Sequence, residues 1–359
     1  PRLARQGVAS QDALGVLWRA VPGLGSPPEE DWAEVVQLVT HRPGKLDDLP
    51  LFAKPAAKLR LNLEAQLGCL PRSASEGQSL ADSLLLFSPS APGFAVPGAA
   101  AMTGSQGSGK TTLCQRILAG FASEGVMPLQ VNCGKLGQPA RKFKLVQDWL
   151  RRLLRLACWY SPSILLLDDL GALCPDVEPG APNLSIAEDR SPILVELLLD
   201  LLHEVRASGS RIAIVATLPD DSAVHRMLWK LPALEHKVPL RPPYLKERPE
   251  ILQILLRQKV EEGWDVDANL LAEGSLDDWG GRVDGFSVAD LDRLVKRACV
   301  EATVEASAGR LRGGDGQSPA WGDRQRLSMD HVEKACQDFV PATMADQTFF
   351  TSTVRLADI

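Results

Sequence analysis

A glycine-rich octapeptide carries the strongest chemical signal in the sequence. Residues 104–111 read GSQGSGKT and match the pattern GxxxxGK[ST] in full, between an apolar run and a helical pattern. Glycines at these positions let backbone N–H groups turn inward around a phosphate, and the N-terminus of the following helix favours negative charge. We therefore predict a nucleotide-phosphate site formed by Gly104, Ser105, Gln106, Gly107, Ser108, Gly109, Lys110, Thr111 and Thr112.

Two aspartates follow a second apolar run, SILLLDDLG at residues 163–171. The Lys110 ammonium is expected to reach the β- and γ-phosphates, and the Thr111 hydroxyl to ligate magnesium. Asp168 is expected to hold the same metal, through water. An aspartate after a strand is by itself more often a turn or cap residue. Together with the octapeptide, it predicts ATP and Mg2+ as the ligands, with Thr111 and Asp168 on the metal.

Asp169 stands where a hydrolase would place the acid that polarises the attacking water, and we predict it as the catalytic residue. Most ATPases that hydrolyse with such a pair have Glu at this position. Asp is one methylene shorter, which retracts the carboxylate by roughly 1 Å, and a misplacement of that size can cost ~10²-fold in rate. The expected consequence is slow hydrolysis.

The elements that must position these residues follow an alternating pattern. Strand-like runs (PGAAAMTG, PLQVNC, SILLLDD, RIAIVATLP and EHKVPL) alternate with helical ones, one of which is predicted to start at Ser191 and Pro192. Such alternation predicts an α/β fold with a doubly wound, parallel, five-stranded sheet over residues 79–241. A small all-helical domain is expected over 242–345, with Ser287 and Asp290 in capping-box spacing.

The two ends of the chain carry no predicted chemistry. Residues 1–78 show two helical patterns, DALGVLWRAV and DWAEVVQLVTH, and a loop-like stretch, PLFAKPAAKL, and are interpreted as a small helical region or linker. Residues 346–359 are interpreted as a linker. Because the chain begins at Pro1 without Met and stops after RLADI, we expect it to be a piece of a longer protein.

Composition narrows the class of protein. The chain has 359 residues, which is enough for about two domains. A net charge of −6 argues against a general nucleic-acid binder. Seven scattered cysteines without a CxxC pair indicate reduced thiols in the cytosol. A basic cluster could face a nucleic acid or a pore, but is more often the solvated face of a helix: Arg141, Lys142, Lys144, Arg151, Arg152 and Arg155.

An α/β domain with this loop, followed by a small helical lid, resembles the AAA+ ATPases. GRVDGFSVADLDRLVKRA looks like the segment that opens a lid helix in the protein-remodelling clade, which implies that Ala289 lies near the nucleotide. Four further stretches are similar to the first ATPase domain of the peroxin-1 (peroxisome biogenesis factor 1) family: PGAAAMTGSQGSGKTTL, VNCGKL, SPSILLLDDL and DFVPATM…TVRLADI.

The resemblance implies a hetero-hexameric ring with a second peroxisomal AAA+ ATPase, in which the first ring mainly binds nucleotide and holds the assembly together. Such a machine extracts ubiquitinated import receptors, and an anchor protein recruits it to the cytosolic face of the peroxisomal membrane. No nucleic acid is implied as a partner.

Four departures from an active AAA pattern favour a domain that holds ATP. Leu218 replaces a polar residue that senses the γ-phosphate. Active members carry paired arginines in the window that lies here between Asp220 and Pro242, and Arg226 is the only candidate for an arginine finger in the middle of it. The pore-loop window KLGQPARK lacks an aromatic, and Val288 stands where Gly is usual. Two alternatives stay open: an active protein-unfolding motor that hydrolyses with Asp169, and a nucleic-acid-directed AAA+ loader.

Overall fold

A computed structural model describes residues 10–24, 32–39, 49–67, 99–176, 185–220, 224–230, 234–272, 274–312, 326–337 and 339–341. These residues form two compact units. The second unit contains residues 49–51, 105–109 and everything described from Arg241 onward; the first contains the rest. The predicted linker at 346–359 and residues 68–98 lie outside the described residues. None of the described helices has the length and apolar character needed to span a membrane.

The first unit is built on a sheet with helices between its strands. In chain order its elements are α1 (Ser10–Arg19), α2 (Trp32–Val35), β1 (Val36–Leu38), α3 (Pro50–Gln66, whose first two residues belong to the second unit), β2 (Ala99–Thr103), α4 (Lys110–Ser123), β3 (Met127–Asn132), α5 (Cys133–Leu136), α6 (Phe143–Trp159), β4 (Ser163–Asp168), α7 (Leu170–Leu173), α8 (Ile186–Ala207), β5 (Ile212–Leu218), α9 (Met227–Lys230) and β6 (Leu234–Pro239).

The sheet confirms the predicted α/β fold and adds a sixth strand to the five predicted. Its order is β1-β3-β4-β5-β2-β6, and all pairs are parallel except β1 with β3. The stretch DWAEVVQLVTH was predicted to be helical, which is wrong for residues 36–38: Val36 pairs with Val131 and Leu38 with Leu129. The free edge of β3 supplies backbone partners that the local helical pattern could not reveal.

Helix α3 replaces the loop predicted over PLFAKPAAKL, even though Pro55 lies inside it. Proline removes a helical hydrogen bond, but Leu59 and Leu63, one turn apart, are fully buried and stabilise the helix by packing. At its end the buried Gln66 accepts the N–H of Ile214 at 2.8 Å and donates to the Ile214 carbonyl at 3.3 Å. The side-chain amide thereby serves as a partner for the β5 backbone.

Helix α8 begins five residues before the predicted start at Ser191. Ser185 and Glu188 form the capping box: the Ser185 N–H donates to the Glu188 carboxylate at 2.6 Å, and the Glu188 N–H to the Ser185 hydroxyl at 3.3 Å. The Ser191 hydroxyl donates instead to the Pro175 carbonyl at 2.7 Å. Pro192 therefore lies inside the helix.

The second unit is mainly helical. Its elements are α10 (Glu247–Glu261), β7 (Asp265–Val266), α11 (Ala268–Leu271), α12 (Trp279–Arg282), α13 (Val288–Arg312), β8 (Arg326–Leu327) and α14 (Met329–Gln337). The prediction of an all-helical domain missed the short parallel pair β7–β8. The predicted capping box is confirmed: the Ser287 N–H donates to Asp290 Oδ2 at 3.0 Å, and the Asp290 N–H to Ser287 Oγ at 3.2 Å.

Candidate functional site

The glycine-rich loop connects the end of β2 to the start of α4. Gly107 and Gly109 have φ values of 78° and 95°, in the left-handed region that favours glycine. A Cβ on Gly107 would lie 2.6 Å from Ser287 Oγ, a closer approach than real Cβ atoms show. Glycine is therefore required at position 107 for both backbone conformation and space.

The loop offers polar groups that suit a phosphate. Ser108 Oγ is buried without a hydrogen-bond partner in the part of the chain that the structure describes, so its hydrogen-bonding capacity is unused there. Lys110 Nζ donates to the Gly104 carbonyl at 2.7 Å, so its ammonium group contacts the first residue of the loop. Burial lowers the pKa of Lys110, and the negative charges of Asp169 and Asp168 oppose this effect.

The Asp168 carboxylate is the centre of a hydrogen-bonded network. Thr111 Oγ1 and Thr217 Oγ1 each donate to Asp168 Oδ1 at 2.7 Å, and Gln130 Nε2 donates to Asp168 Oδ2 at 3.2 Å. Because the Thr111 hydroxyl gives its proton to Asp168, its lone pairs stay available to a cation. These residues fit a magnesium ion that takes Thr111 as a direct ligand and Asp168 through water.

Sequence reasoning missed Thr217, Gln130 and Gln115 as members of this network. Gln115 Nε2 donates to Gln130 Oε1 at 2.8 Å. One signal was available for Gln130, a polar residue in the middle of the apolar strand PLQVNC. Thr217 ends an apolar run directly before Leu218, and nothing in its local sequence marks it as a partner of Asp168.

Asp169 has an unusual backbone. Among the described residues it is the only non-glycine residue with positive φ (58°, with ψ 54°). Its N–H donates to Thr217 Oγ1 at 2.9 Å, which anchors this conformation. Partial desolvation and the adjacent Asp168 raise the pKa of the Asp169 carboxyl, while Lys110 opposes the rise. The carboxylate is solvent-accessible, as a group acting on water would have to be.

The other predicted nucleotide contacts differ in exposure. Gln106 and Thr112 are exposed, while Ser105 is half-buried. In the second unit the Ala289 N–H donates to the Gly107 carbonyl at 3.0 Å, so Ala289 contacts the loop. The side chain of Val288, which stands where glycine is usual, is buried.

Three of the four departures from an active AAA pattern lie in the first unit. Leu218 is fully buried and offers no polar atom. Arg226 Nε lies 3.4 Å from Asp176 Oδ1, in an ion pair. In the window KLGQPARK, Lys135 Nζ lies 2.8 Å from Glu34 Oε2, so the N-terminal segment contacts this window.

Two members of the predicted basic cluster contact neighbouring groups of the first unit. Arg141 donates from Nε to the Lys135 carbonyl at 3.0 Å and lies over the Trp149 ring. Arg151 Nη1 lies 3.7 Å from Asp148 Oδ1 on the same helix. The Arg151 contact fits the solvated face of α6, whereas Arg141 precedes that helix.

Comparison with known proteins finds one family match within the first unit and several curated relatives. Residues 100–237 match the family described as ATPase family associated with various cellular activities (AAA). Human peroxisomal ATPase PEX1 is 27% identical over 256 residues, 69% of this chain and 18% of that protein. Human ATPase family gene 2 protein homolog B is 28% identical over 302 residues, 83% of this chain and 36% of that protein. Protein SAV of Sulfolobus acidocaldarius is 27% identical over 211 residues, 58% of this chain and 24% of that protein.

The chain thus spans well under half the length of these curated relatives. Their similarity confirms the resemblance to the AAA+ ATPases and to the peroxin-1 family that the motifs indicated. The parallel sheet and the glycine-rich loop before Lys110 agree with the similarity of residues 100–237 to the AAA ATPase family.

Proposed function

We propose that this chain is an ATP-binding AAA+ module that hydrolyses ATP slowly and stabilises a hetero-hexameric ring of a peroxisomal protein-remodelling ATPase. The observation that carries the proposal is the network at the end of β4. There Thr111 and Thr217 each donate to one oxygen of Asp168. The glycine-rich loop adds the Ser108 hydroxyl, which has no hydrogen-bond partner among the described residues.

Binding is supported by the chemistry of the loop and of Asp168. When bound, Mg2+ neutralises charge on the β- and γ-phosphates. In this chain the Lys110 ammonium would leave the Gly104 carbonyl for a phosphate oxygen, and the Thr111 hydroxyl would keep its hydrogen bond to Asp168. We assign the large nucleotide-binding subdomain to residues 79–241 and the small lid to 242–345.

Slow hydrolysis is supported by what surrounds the attacking position. Asp169 has a shorter side chain than the glutamate usual there, and Leu218 is fully buried without a polar group for the γ-phosphate. Arg226 pairs with Asp176 of its own chain. An arginine supplied to a neighbour's site contributes 10³–10⁵ in rate where it operates. Bound ATP would then persist and favour the assembled state, because a ligand stabilises the form that binds it.

The partners follow from the similarity to peroxisomal ATPase PEX1. We propose a second peroxisomal AAA+ ATPase as the ring partner and a ubiquitinated import receptor as the substrate. An anchor protein would recruit the assembly from the cytosol to the cytosolic face of the peroxisomal membrane.

The test uses the full-length protein purified with its ring partner. ATP affinity is measured by calorimetry, turnover by phosphate release, and assembly by light scattering. Lys110→Ala removes a cation from the phosphates and should weaken ATP binding by roughly 10–100-fold and reduce hexamer formation. Lys144→Ala, which removes an exposed cation of α6, is the control and should change neither.

Each part of the proposal can fail separately. A substantial turnover that Asp169→Asn abolishes would identify a motor and refute slow hydrolysis. Hexamers that survive Lys110→Ala would refute the assembly role. Salt-dependent DNA binding at physiological ionic strength would support a nucleic-acid loader.

A second candidate is the same ATP-binding module in an AAA ATPase outside the peroxisome. The similarity to ATPase family gene 2 protein homolog B favours it, because that match covers 83% of this chain. Co-purification of the full-length protein from cells separates the two placements. Recovery of a second peroxisomal AAA+ ATPase supports the peroxisomal machine, and its absence supports the alternative.

A further inference from the structure

The hydrogen bonds to Asp168 nearly exhaust its capacity as an acceptor. An ionised carboxylate offers about four lone-pair sites. The Thr111 and Thr217 hydroxyls occupy Oδ1, and the Gln130 amide occupies one position on Oδ2. Counting the contacts of the described residues, a single acceptor position, on Oδ2, is left for a group outside the protein.

Gln130 reaches Asp168 from the neighbouring strand. Asn132 of β3 pairs in register with Asp168 of β4, and Gln130 lies two residues before Asn132, on the same face of the sheet. The Gln130 side chain is 8% exposed, and a buried amide is costly unless both of its ends are hydrogen-bonded. Here both ends are used.

Gln115 holds the far end of the Gln130 amide. The acceptor-only carboxylate of Asp168 faces the NH2 group of Gln130, and Gln115 Nε2 donates to the other end, Gln130 Oε1, at 2.8 Å. An amide turned the other way would place Oε1 against the Asp168 carboxylate, two acceptors in contact. The pair of glutamines therefore presents a donor to Asp168 in one orientation.

We propose that Gln130, held at its far end by Gln115, is a positioning residue that fixes the Asp168 carboxylate and directs its remaining lone pair to the water shell of a nucleotide-bound divalent cation. The inference rests on the proposed function and adds two residues to that site. Without Gln130 the carboxylate gains a second unused acceptor on Oδ2 and can rotate. The cation-dependent part of nucleotide affinity should then fall, because a group held in its productive geometry binds better than one that must be ordered.

The test compares ATP affinity with Mg2+ and with EDTA in the full-length protein purified with its ring partner. The ratio of the two affinities isolates the metal-dependent part, which a loss of general stability would not change selectively. Gln130→Met should lower this ratio about tenfold, as is usual when a partner of a metal-binding group is removed, and leave the affinity in EDTA unchanged. Gln115→Met should lower it in the same direction by a smaller factor.

Gln66→Met is the matched control, since it also replaces a buried, hydrogen-bonded glutamine of the first unit. It should lower the melting temperature and leave the ratio at the wild-type value. Should Gln130→Met not fold, the half-buried Gln115 on α4 decides the test through Gln115→Met alone.

Two results would overturn the proposal. One is a wild-type ratio in Gln130→Met or, if that variant does not fold, in Gln115→Met. The other is an equal fall of the ratio in the glutamine variants and the control, which would indicate general destabilisation. If the wild type itself shows no Mg2+-dependent binding, the proposed metal site fails and this inference falls with it. If the wild type shows Mg2+-dependent binding and Gln130→Met has the same affinity ratio, this inference fails while the proposed metal site stands.

Discussion

Thr217 donates a 2.7 Å hydrogen bond to Oδ1 of Asp168, and the same hydroxyl accepts the backbone N–H of Asp169 at 2.9 Å. Thr217 is 2% exposed, so water does not compete with its hydroxyl for these two hydrogen bonds. One hydroxyl thus positions the carboxylate expected to hold the metal and anchors the left-handed backbone of the residue that follows. This double role makes Thr217 a sensitive position for both stability and metal-dependent binding.

We expect Thr217→Val to lower the free energy of unfolding by roughly 1–3 kcal/mol, because an isosteric methyl group leaves the Asp169 N–H without its acceptor. The same variant should reduce ATP affinity in Mg2+ more than in EDTA. Urea denaturation and calorimetry measure the two effects. Thr217→Ser keeps the hydroxyl and is the control. Equal stabilities of Thr217→Val and the wild type would contradict the expectation.

Gly107 and Gly125 offer a matched pair of left-handed glycines, with φ values of 78° and 93°. Gly125→Ala meets nothing within 4 Å, so it should cost only the backbone strain, roughly 1 kcal/mol. Gly107→Ala also brings its Cβ to 2.6 Å from Ser287 Oγ and to 3.1 Å from Ala289 Cβ. We therefore expect Gly107→Ala, but not Gly125→Ala, to weaken ATP binding. Calorimetry measures the two affinities. Similar affinities for the two variants would show that the loop tolerates the added methyl.

Trp18 tests whether the N-terminal helix is part of the folded first unit. Its side chain is fully buried in the core, and the Tyr160 hydroxyl donates to the neighbouring Leu17 carbonyl at 2.9 Å. Trp18→Ala should destabilise the protein by about 3–5 kcal/mol in chemical denaturation. Trp159→Ala is the control, because that ring is 57% exposed and its loss should change stability by less than about 0.5 kcal/mol. Equal effects would rule out a core role for Trp18.

Asp169 should make stability depend on pH. Its folded-state pKa is raised above the ordinary 3.8, so the folded state binds a proton more tightly than the unfolded state. As pH rises from about 3.8 through the raised pKa, ionisation of Asp169 should therefore lower the free energy of unfolding, and the loss should persist at pH 7.

The variant Asp169→Asn removes this titration and suits a left-handed backbone. Its melting temperature at pH 7 should exceed that of the wild type by roughly 1–2 °C, with a smaller difference near pH 3. Differential scanning fluorimetry across this range measures the effect. A difference that is the same at both pH values would show that only the backbone is responsible.

The sequence by itself determined the features that depend on neighbouring residues. The pattern that ends in Lys110 and Thr111 encodes a loop and a helix start within eight consecutive residues. The capping box of Ser287 and Asp290 likewise spans a single helical turn. Continuous apolar runs predicted the parallel strands of the core, because a strand covered on both faces is apolar throughout. Local chemistry is sufficient where all the interacting groups lie within a few residues.

Only the tertiary structure decided the features whose partners are distant along the chain. The strand Val36–Leu38 needs the free edge of β3, about a hundred residues away, and helix α3 tolerates Pro55 because the core buries its leucines. Gln130 joins Asp168 because parallel strands place their carboxyl ends side by side. The free energy that favours these arrangements comes from pairing and burial between remote segments, and no local pattern contains it.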